Sequence, residues 1–240
     1  MMTEGRGKVA LVTGGSRRIG AAISRALAKA GYEVVLTYRD SAREGKSLAA
    51  RIGGSAVPLD LSRPSTFGRF ADRLDRKFGR LDLLVHNAAV FPRTPVDDVP
   101  AAAWDAVFAV NLRGPFLLTR ALLPLLRKGR GDAGVLFLGD ANAFELWPGY
   151  LPYCLSKLAV PHLAAGLRKV FPPDVRVGVV RPGLVLPPDG FPAERWERLR
   201  AEKAGRGGIR TPEGVAKAVL HFARAGSYNR RTDHRQGGVQ

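Results

Sequence analysis

At 240 residues and 45% apolar content, the chain has the size and composition of one α/β domain with an ample core, and no apolar run approaches the ~20 residues that a membrane span needs. The first eight residues lack the apolar core of a secretion signal, and the single cysteine, Cys154, cannot close an internal disulfide, which fits a reducing cytoplasm. The formal net charge of +17 comes from scattered basic residues without aromatic interleaving or a recognition-helix motif, so a phosphorylated cofactor, and not nucleic acid, is the expected use of local positive charge.

In chain order, Val9-Ala10-Leu11-Val12 reads as a strand buried on both faces. It runs into the glycine turn Thr13-Gly14-Gly15-Ser16-Arg17-Arg18-Ile19-Gly20, and then into a helix-forming run, 21–31, stopped by Gly31. A strand, a glycine turn and a helix N-terminus make an anion site, because free N–H groups and the helix dipole point at a phosphate. Strand 33–38 completes a βαβ unit. The turn is not the common Gly-x-Gly-x-x-Gly, since Arg18 stands where another glycine is usual, and no Gly-Lys-Ser/Thr follows to make a P-loop. The strand–turn–helix context is what points to a dinucleotide.

Strands and helices then alternate to the end, the signature of a Rossmann-type, doubly wound parallel sheet flanked by helices in a single domain. Helix 41–52 is followed by a short strand, 55–58, that ends at Asp60-Leu61. Helix 64–78 places Phe67, Phe70, Leu74 and Phe78 on one face. Strand 81–86 leads to Asn87-Ala88-Ala89, and 90–99 is an irregular loop carrying Phe91. Residues 100–126 form a long helical region that holds Asn111 and is broken at Gly114-Pro115. Strand 135–138 delivers Gly139-Asp140, helix 150–171 follows, and strand 175–180 ends in Arg181-Pro182-Gly183. Helices 193–204 and 212–224 complete the pattern. Ligands of such sheets collect at the C-terminal ends of the strands, where Gly14, Asp60, Asn87, Asp140 and Pro182 all fall.

The second constellation is Tyr153-Cys154-Leu155-Ser156-Lys157. Positions i and i+4 share a helix face, so Lys157 lies beside Tyr153. A free tyrosine has a pKa near ~10, and a nearby ammonium is expected to lower it toward the working range. Carbonyl reduction needs such a proton donor for the alkoxide that develops as hydride arrives.

With both constellations placed, the chain resembles the short-chain dehydrogenase/reductase family over residues 8–226. The resemblance rests on Thr13-Gly14, Arg18-Ile19-Gly20, Asp60-Leu61, Asn87-Ala88-Ala89, Asn111, Tyr153 with Lys157, and Pro182-Gly183, in that order and spacing. It implies that Tyr153 is the acid/base and that Lys157 lowers its pKa and holds the nicotinamide ribose. It further implies that Asn111 keeps a water in the proton relay, that Asp60 meets the adenine, and that the protein is a homo-oligomer, a tetramer or a dimer. No metal is expected. NAD-binding relatives place an acid at the end of the second strand, whereas here Tyr38 is followed by Arg39, and Arg17 and Arg18 line the turn. Guanidinium groups suit a 2′-phosphate, so NADP(H) is the expected cofactor, although Asp40 is close by.

Departures from the family pattern narrow the expectation. Asp140 stands where most family members carry a serine, thirteen residues before the tyrosine. Together with Arg18 and Phe91 this resembles the pteridine reductases, in which the aromatic stacks the pterin on the nicotinamide and the aspartate positions or protonates the ring. Phe91 as an apolar plug, and Asp140 as a group that orients Tyr153 or a water, are the plainer alternatives. His86 replaces a usual asparagine and reads as a satisfied strand-end histidine. Residues 191–204 fall where the family has a mobile substrate lid, or form a surface helix. After Tyr228 the family has an apolar last strand, but Asn229-Arg230-Arg231-Thr232-Asp233-His234-Arg235 could not be buried in a sheet without unpaired charge. A one-base shift of reading frame over these codons is one account of that atypical tail, 227–240. The expected activity is NADPH-dependent hydride transfer to a C=O or C=N group of a small molecule such as a pterin. A carbonyl or 3-oxoacyl reductase and a non-catalytic NADP-binding regulator are the alternatives.

Overall fold

Leu11, Val35, Leu84 and Val135, from four neighbouring strands, pack into one buried cluster, while Ala10, Val12, Val34 and Leu136 pack into a second. Side chains alternate along a strand, so a sheet dry on both faces must be built from continuous apolar runs, which is what the sequence contains. The computed structural model describes residues 7–129, 133–188, 190–203, 209 and 211–224. Within it β1 (Val9–Val12), β2 (Glu33–Tyr38), β3 (Ser55–Pro58), β4 (Leu83–His86), β5 (Ala133–Leu138) and β6 (Val175–Val180) form one parallel sheet in the order β3-β2-β1-β4-β5-β6. This is a single-domain α/β Rossmann fold, and its strand order reverses between β1 and β4, opening a crevice at their C-terminal ends.

Helices α1 (Arg18–Lys29) and α2 (Ala42–Ile52) follow β1 and β2, and α3 (Phe67–Phe78) follows a short 3₁₀ turn at Pro64–Thr66. Next come α4 (Ala101–Phe108), α5 (Gly114–Arg127), α6 (Leu151–Val170), α7 (Ala193–Glu202) and α8 (Pro212–Arg224). Phe67, Phe70 and Leu74 of α3 are buried together with Leu118 and Leu122 of α5 and Val160 of α6 on one side of the sheet; Ile23 of α1 and Val215 of α8 are buried on the other.

The helical run 100–126 is not broken at Gly114-Pro115 as expected. It continues from α4 into α5 through one wide π turn, Ala109–Arg113, with Asn111 at its centre. Pro115 has no N–H to give Asn111's carbonyl the usual i−4 hydrogen bond, and the widened turn just before it accommodates that loss without ending the helix. By length and composition alone this run, Ala101–Arg127, could cross a bilayer, a test that buried core helices of soluble folds also pass; here Val107, Leu118, Leu122, Leu125 and Leu126 are packed away inside the protein. The atypical tail, and with it the expected last strand, lies outside the described residues, as does Ala204 at the end of the predicted helix 193–204.

Candidate active site

The glycine turn is shaped by contact. Gly14 has φ +60°, and a Cβ on Gly20 would fall 2.1 Å from Gly14's own carbonyl oxygen, so no other residue fits there. Arg18 also takes a left-handed φ of 51°, which costs an ordinary residue about 1 kcal/mol, and its guanidinium donates to the Pro187 carbonyl beyond β6. Asn87 ties the turn to β4: its Nδ2 donates to the carbonyls of Thr13 (2.9 Å) and Gly14 (3.0 Å), while the Asn87 and Ala88 amides donate to Thr13 Oγ1. Asn87 thus shapes the glycine turn from behind. Ser16 shares a hydrogen bond with Ser41, and Ile19 packs against the core under α1.

At the end of β2, Tyr38 is buried with its ring against Gly45 of α2, so its side chain offers little to a ligand. Arg39 is exposed and paired with the neighbouring Asp40 at 2.6 Å. Asp60 accepts hydrogen bonds from the amide (2.9 Å) and hydroxyl (2.7 Å) of Ser62. Burial pushes its carboxyl up, but those bonds and the Arg39 and Arg63 charges outweigh burial and hold it below the usual carboxylate range. Leu61 is buried beside Gly114 and can present only backbone. Two clefts, of about 620 and 570 Å³, flank this end of the sheet. Ser16, Arg17, Arg18 and Arg43 line the first; Arg39, Asp60 and Arg63 line the second. With no acidic residue in the first turn of α1 and a cradle that a Cβ would fill, the turn fits a phosphorylated dinucleotide.

At the other end, α6 carries Tyr153 and Lys157 one turn apart. The Tyr153 hydroxyl donates to Asp140 Oδ2 at 2.8 Å, and Asp140 Oδ1 accepts the Asn142 amide at 2.8 Å. Burial pushes Asp140's carboxyl up, against the pull of those hydrogen bonds and of Lys157. The expectation for Tyr153 is reversed: burial first, and then Asp140's charge and hydrogen bond, push the phenol well above its ordinary value. Lys157 does not offset this, because its Nζ lies 5.9 Å from the Tyr153 ring centre and donates to the Leu138 carbonyl at 2.8 Å. Burial lowers Lys157 itself to about 8.

Asn111 holds the two sides of this centre together. Its side chain accepts the Val90 amide (2.9 Å) and donates to the Val90 carbonyl (3.1 Å) and to Ser156 Oγ (3.1 Å), which donates in turn to the Tyr153 carbonyl (2.7 Å). Val90 precedes Phe91, whose ring stacks on Tyr150 at 4.3 Å and meets Tyr153 edge-on at 4.4 Å. Trp147 lies parallel to Tyr153 at 6.3 Å, and its indole N–H donates to Glu145. Pro182 and Gly183 form a short bridge with Ile209, and Ala141's amide donates to the Pro182 carbonyl, which fixes this loop next to Asp140. Sequence reasoning missed Glu145, Trp147, Tyr150 and Ser156. The density of aromatics over 144–153 was the available signal.

The family profile of the short chain dehydrogenases matches residues 8–196. D-threitol dehydrogenase of Mycolicibacterium smegmatis is 32% identical, over 90% of this chain and 86% of that protein. Galactitol 2-dehydrogenase of Agrobacterium fabrum is 33% identical, over 88% and 82%. Among solved structures, the FolM alternative dihydrofolate reductase 1 of Brucella canis, complexed with NADP, has a TM-score of 0.83 and 30% identity, covering 93% of this chain and 90% of that one. A glycine turn that fits a dinucleotide, a Tyr–Lys pair on one helix face and relatives matched over most of both lengths lead to one conclusion: the chain belongs to the short chain dehydrogenase family of oxidoreductases.

Proposed function

We propose that this chain is an NADPH-dependent reductase that delivers hydride to a C=O or C=N group of a flat, ring-shaped substrate of pterin type. The observation that carries this reading is the 2.8 Å hydrogen bond from Tyr153 to Asp140 inside an aromatic enclosure of Phe91, Trp147 and Tyr150. Aromatic faces hold a planar ring by stacking, and a carboxyl group can pair with the N–H groups on its edge.

When bound, the cofactor supplies the hydride. Gly14, Ser16, Ile19 and Gly20 make room for its diphosphate at the N-terminus of α1, and Arg17, Arg18 and Arg39 offer charge to a 2′-phosphate. Asp60, Asn87 and Ala88 would hold the adenosine side, and the loop at Pro182-Gly183 the nicotinamide side. Lys157, held by the Leu138 carbonyl, would hold the nicotinamide ribose. Tyr153 keeps its proton because it is buried beside a carboxylate, and gives it up as negative charge grows on the substrate. Asn111 and Ser156 hold the α6 turn on which the phenol sits.

The polyol dehydrogenases among the relatives favour a second reading, reduction of a ketone on the same Tyr153. The exposed Trp104 and Phe116, on α4 and α5, support assembly as a homo-oligomer, which light scattering of the purified protein tests. NADPH oxidation with a dihydropterin, run beside a simple activated ketone, tests the substrate. Turnover of the dihydropterin that is lost in Asp140→Ser supports the pterin reading. Turnover of the ketone alone replaces it with the second, and silence with both leaves a non-catalytic cofactor binder.

A further inference from the structure

Lys203, which follows the last turn of α7, forms an ion pair with Glu145 in the loop after β5. The two side chains are 13% and 14% exposed, too buried for an ordinary surface pair. The same Glu145 oxygen, Oε2, accepts the indole N–H of Trp147 at 3.1 Å. Trp147 in turn lies nearly parallel to Tyr153, 14° between planes, and edge-on to Phe91 at 6.0 Å. At its other end α7 is anchored by the buried Trp196, with Phe191 edge-on to it. An unbroken line of contacts therefore runs from α7 through Lys203, Glu145 and Trp147 to the phenol.

We propose that Glu145 and Lys203 are positioning residues: their ion pair seats α7 against the loop after β5 and fixes Trp147 as one wall of the substrate slot. The substrate half of this inference rests on the reductase reading; the seating of α7 and Trp147 does not. Three physical points support it. An indole alone can rotate in its pocket, but one whose N–H is bound to a charged oxygen is held in plane. A carboxylate this buried needs a cationic partner, so Glu145 and Lys203 must move together. Glu145 is also close enough to push Asp140's carboxyl up, beside the pull of Lys157 and the hydrogen bond from Tyr153, so Lys203 spares Asp140 part of that repulsion.

The test uses the full chain with Trp104→Phe, which removes the exposed indole on α4. Hydrogen exchange of the α7 amides, acrylamide quenching of the remaining tryptophans and NADPH affinity are measured for Lys203→Met, Lys203→Arg and Glu145→Gln, together with KM and kcat for a dihydropterin and an activated ketone. Lys203→Met is expected to speed α7 exchange and raise quenching, and to raise KM for the accepted substrate roughly tenfold, while NADPH affinity holds. Lys203→Arg restores all three. Glu145→Gln, which keeps an acceptor for the indole but no charge, speeds α7 exchange as Lys203→Met does. Unchanged exchange and quenching in Lys203→Met, or an arginine variant as impaired as the methionine one, overturns the inference. If the unaltered protein turns over neither substrate, the reductase reading fails, and exchange and quenching still decide the seating of α7.

Discussion

The Tyr153 hydroxyl donates to Asp140 at 2.8 Å across the thirteen residues that separate them, from the first turns of α6 to the end of β5. A carboxylate there does what a serine could not: it adds negative charge beside a buried phenol and so keeps the proton on it.

Asp140→Asn follows directly from that pairing. On the proposed mechanism reduction needs a protonated Tyr153, so activity falls once pH exceeds the phenol's pKa. Burial remains in the variant, but the charge of Asp140 is gone, and the pKa must fall. The alkaline limb of the pH–kcat profile is expected to move to lower pH in Asp140→Asn. A limb that stays in place would remove Asp140 from control of the proton.

Tyr153→Phe removes the proposed proton donor and leaves the fold and glycine turn untouched. Turnover should drop by about a hundredfold or more, the range for loss of a general acid. NADPH affinity, read by fluorescence titration, should hold within a factor of about two, because the phenol's hydrogen bond goes to Asp140. Equal loss of binding and turnover would place Tyr153 in the cofactor pocket instead.

His86 gives a stability prediction with a defined sign. Its Nε2 lies 2.7 Å from Thr119 Oγ1, whose own proton goes to the Pro115 carbonyl, so Nε2 is the protonated nitrogen. Its other nitrogen, Nδ1, has no partner, and burial lowers the ring from 6.5 to about 3. Above pH 6.5 neither the folded nor the unfolded form is charged, and His86 adds no pH dependence. Between 6.5 and about 3 only the unfolded chain takes the proton, so stability falls as pH falls, by an amount on the order of a few kcal/mol. His86→Asn should flatten that part of the urea-midpoint curve; an unchanged slope would place the acid sensitivity elsewhere.

Gly20→Ala inserts a methyl group 2.1 Å from the Gly14 carbonyl oxygen and 2.6 Å from Asn87 Nδ2. The turn cannot take it without moving, so about 1–3 kcal/mol of stability should be lost, and NADPH binding with it. Thermal melts with and without NADPH read both effects. A variant that NADPH still stabilises normally would show that the turn is not the cofactor cradle.

Asp40→Asn frees the exposed Arg39 guanidinium from its 2.6 Å partner and removes a charge that repels a 2′-phosphate. The ratio of NADPH to NADH affinity should rise severalfold, measured by paired titrations. A ratio that does not move would take Arg39 out of cofactor choice.

The Asp140–Tyr153 pair also marks how far the sequence could be read. The strands themselves were legible because a sheet covered on both faces must be written as apolar runs, and Val9–Val12, Glu33–Tyr38 and Val175–Val180 have their expected bounds, whereas their order in the sheet was set by the fold. The turn at Gly14–Gly20 and the Tyr153–Lys157 pair were legible because local geometry sets both: left-handed φ in one case, helical spacing in the other. Gly114-Pro115 misled, since a proline that usually ends a helix is absorbed here by a π turn just before it. Tyr38 misled as well, because its place at the strand end says nothing about the buried direction of its ring.

The sequence by itself determined the fold class, the glycine turn and the pairing of Tyr153 with Lys157 on one helix face, because backbone period, steric exclusion and short spacing are local properties. Only the tertiary structure decided the sign of the Tyr153 shift, the aromatic walls of the slot and the link from Lys203 through Glu145 to Trp147. Those depend on which groups come within a few ångströms after folding, and on how much water is then left between them. A lysine four residues away along the chain was outweighed by a carboxylate thirteen residues away that lies closer in space.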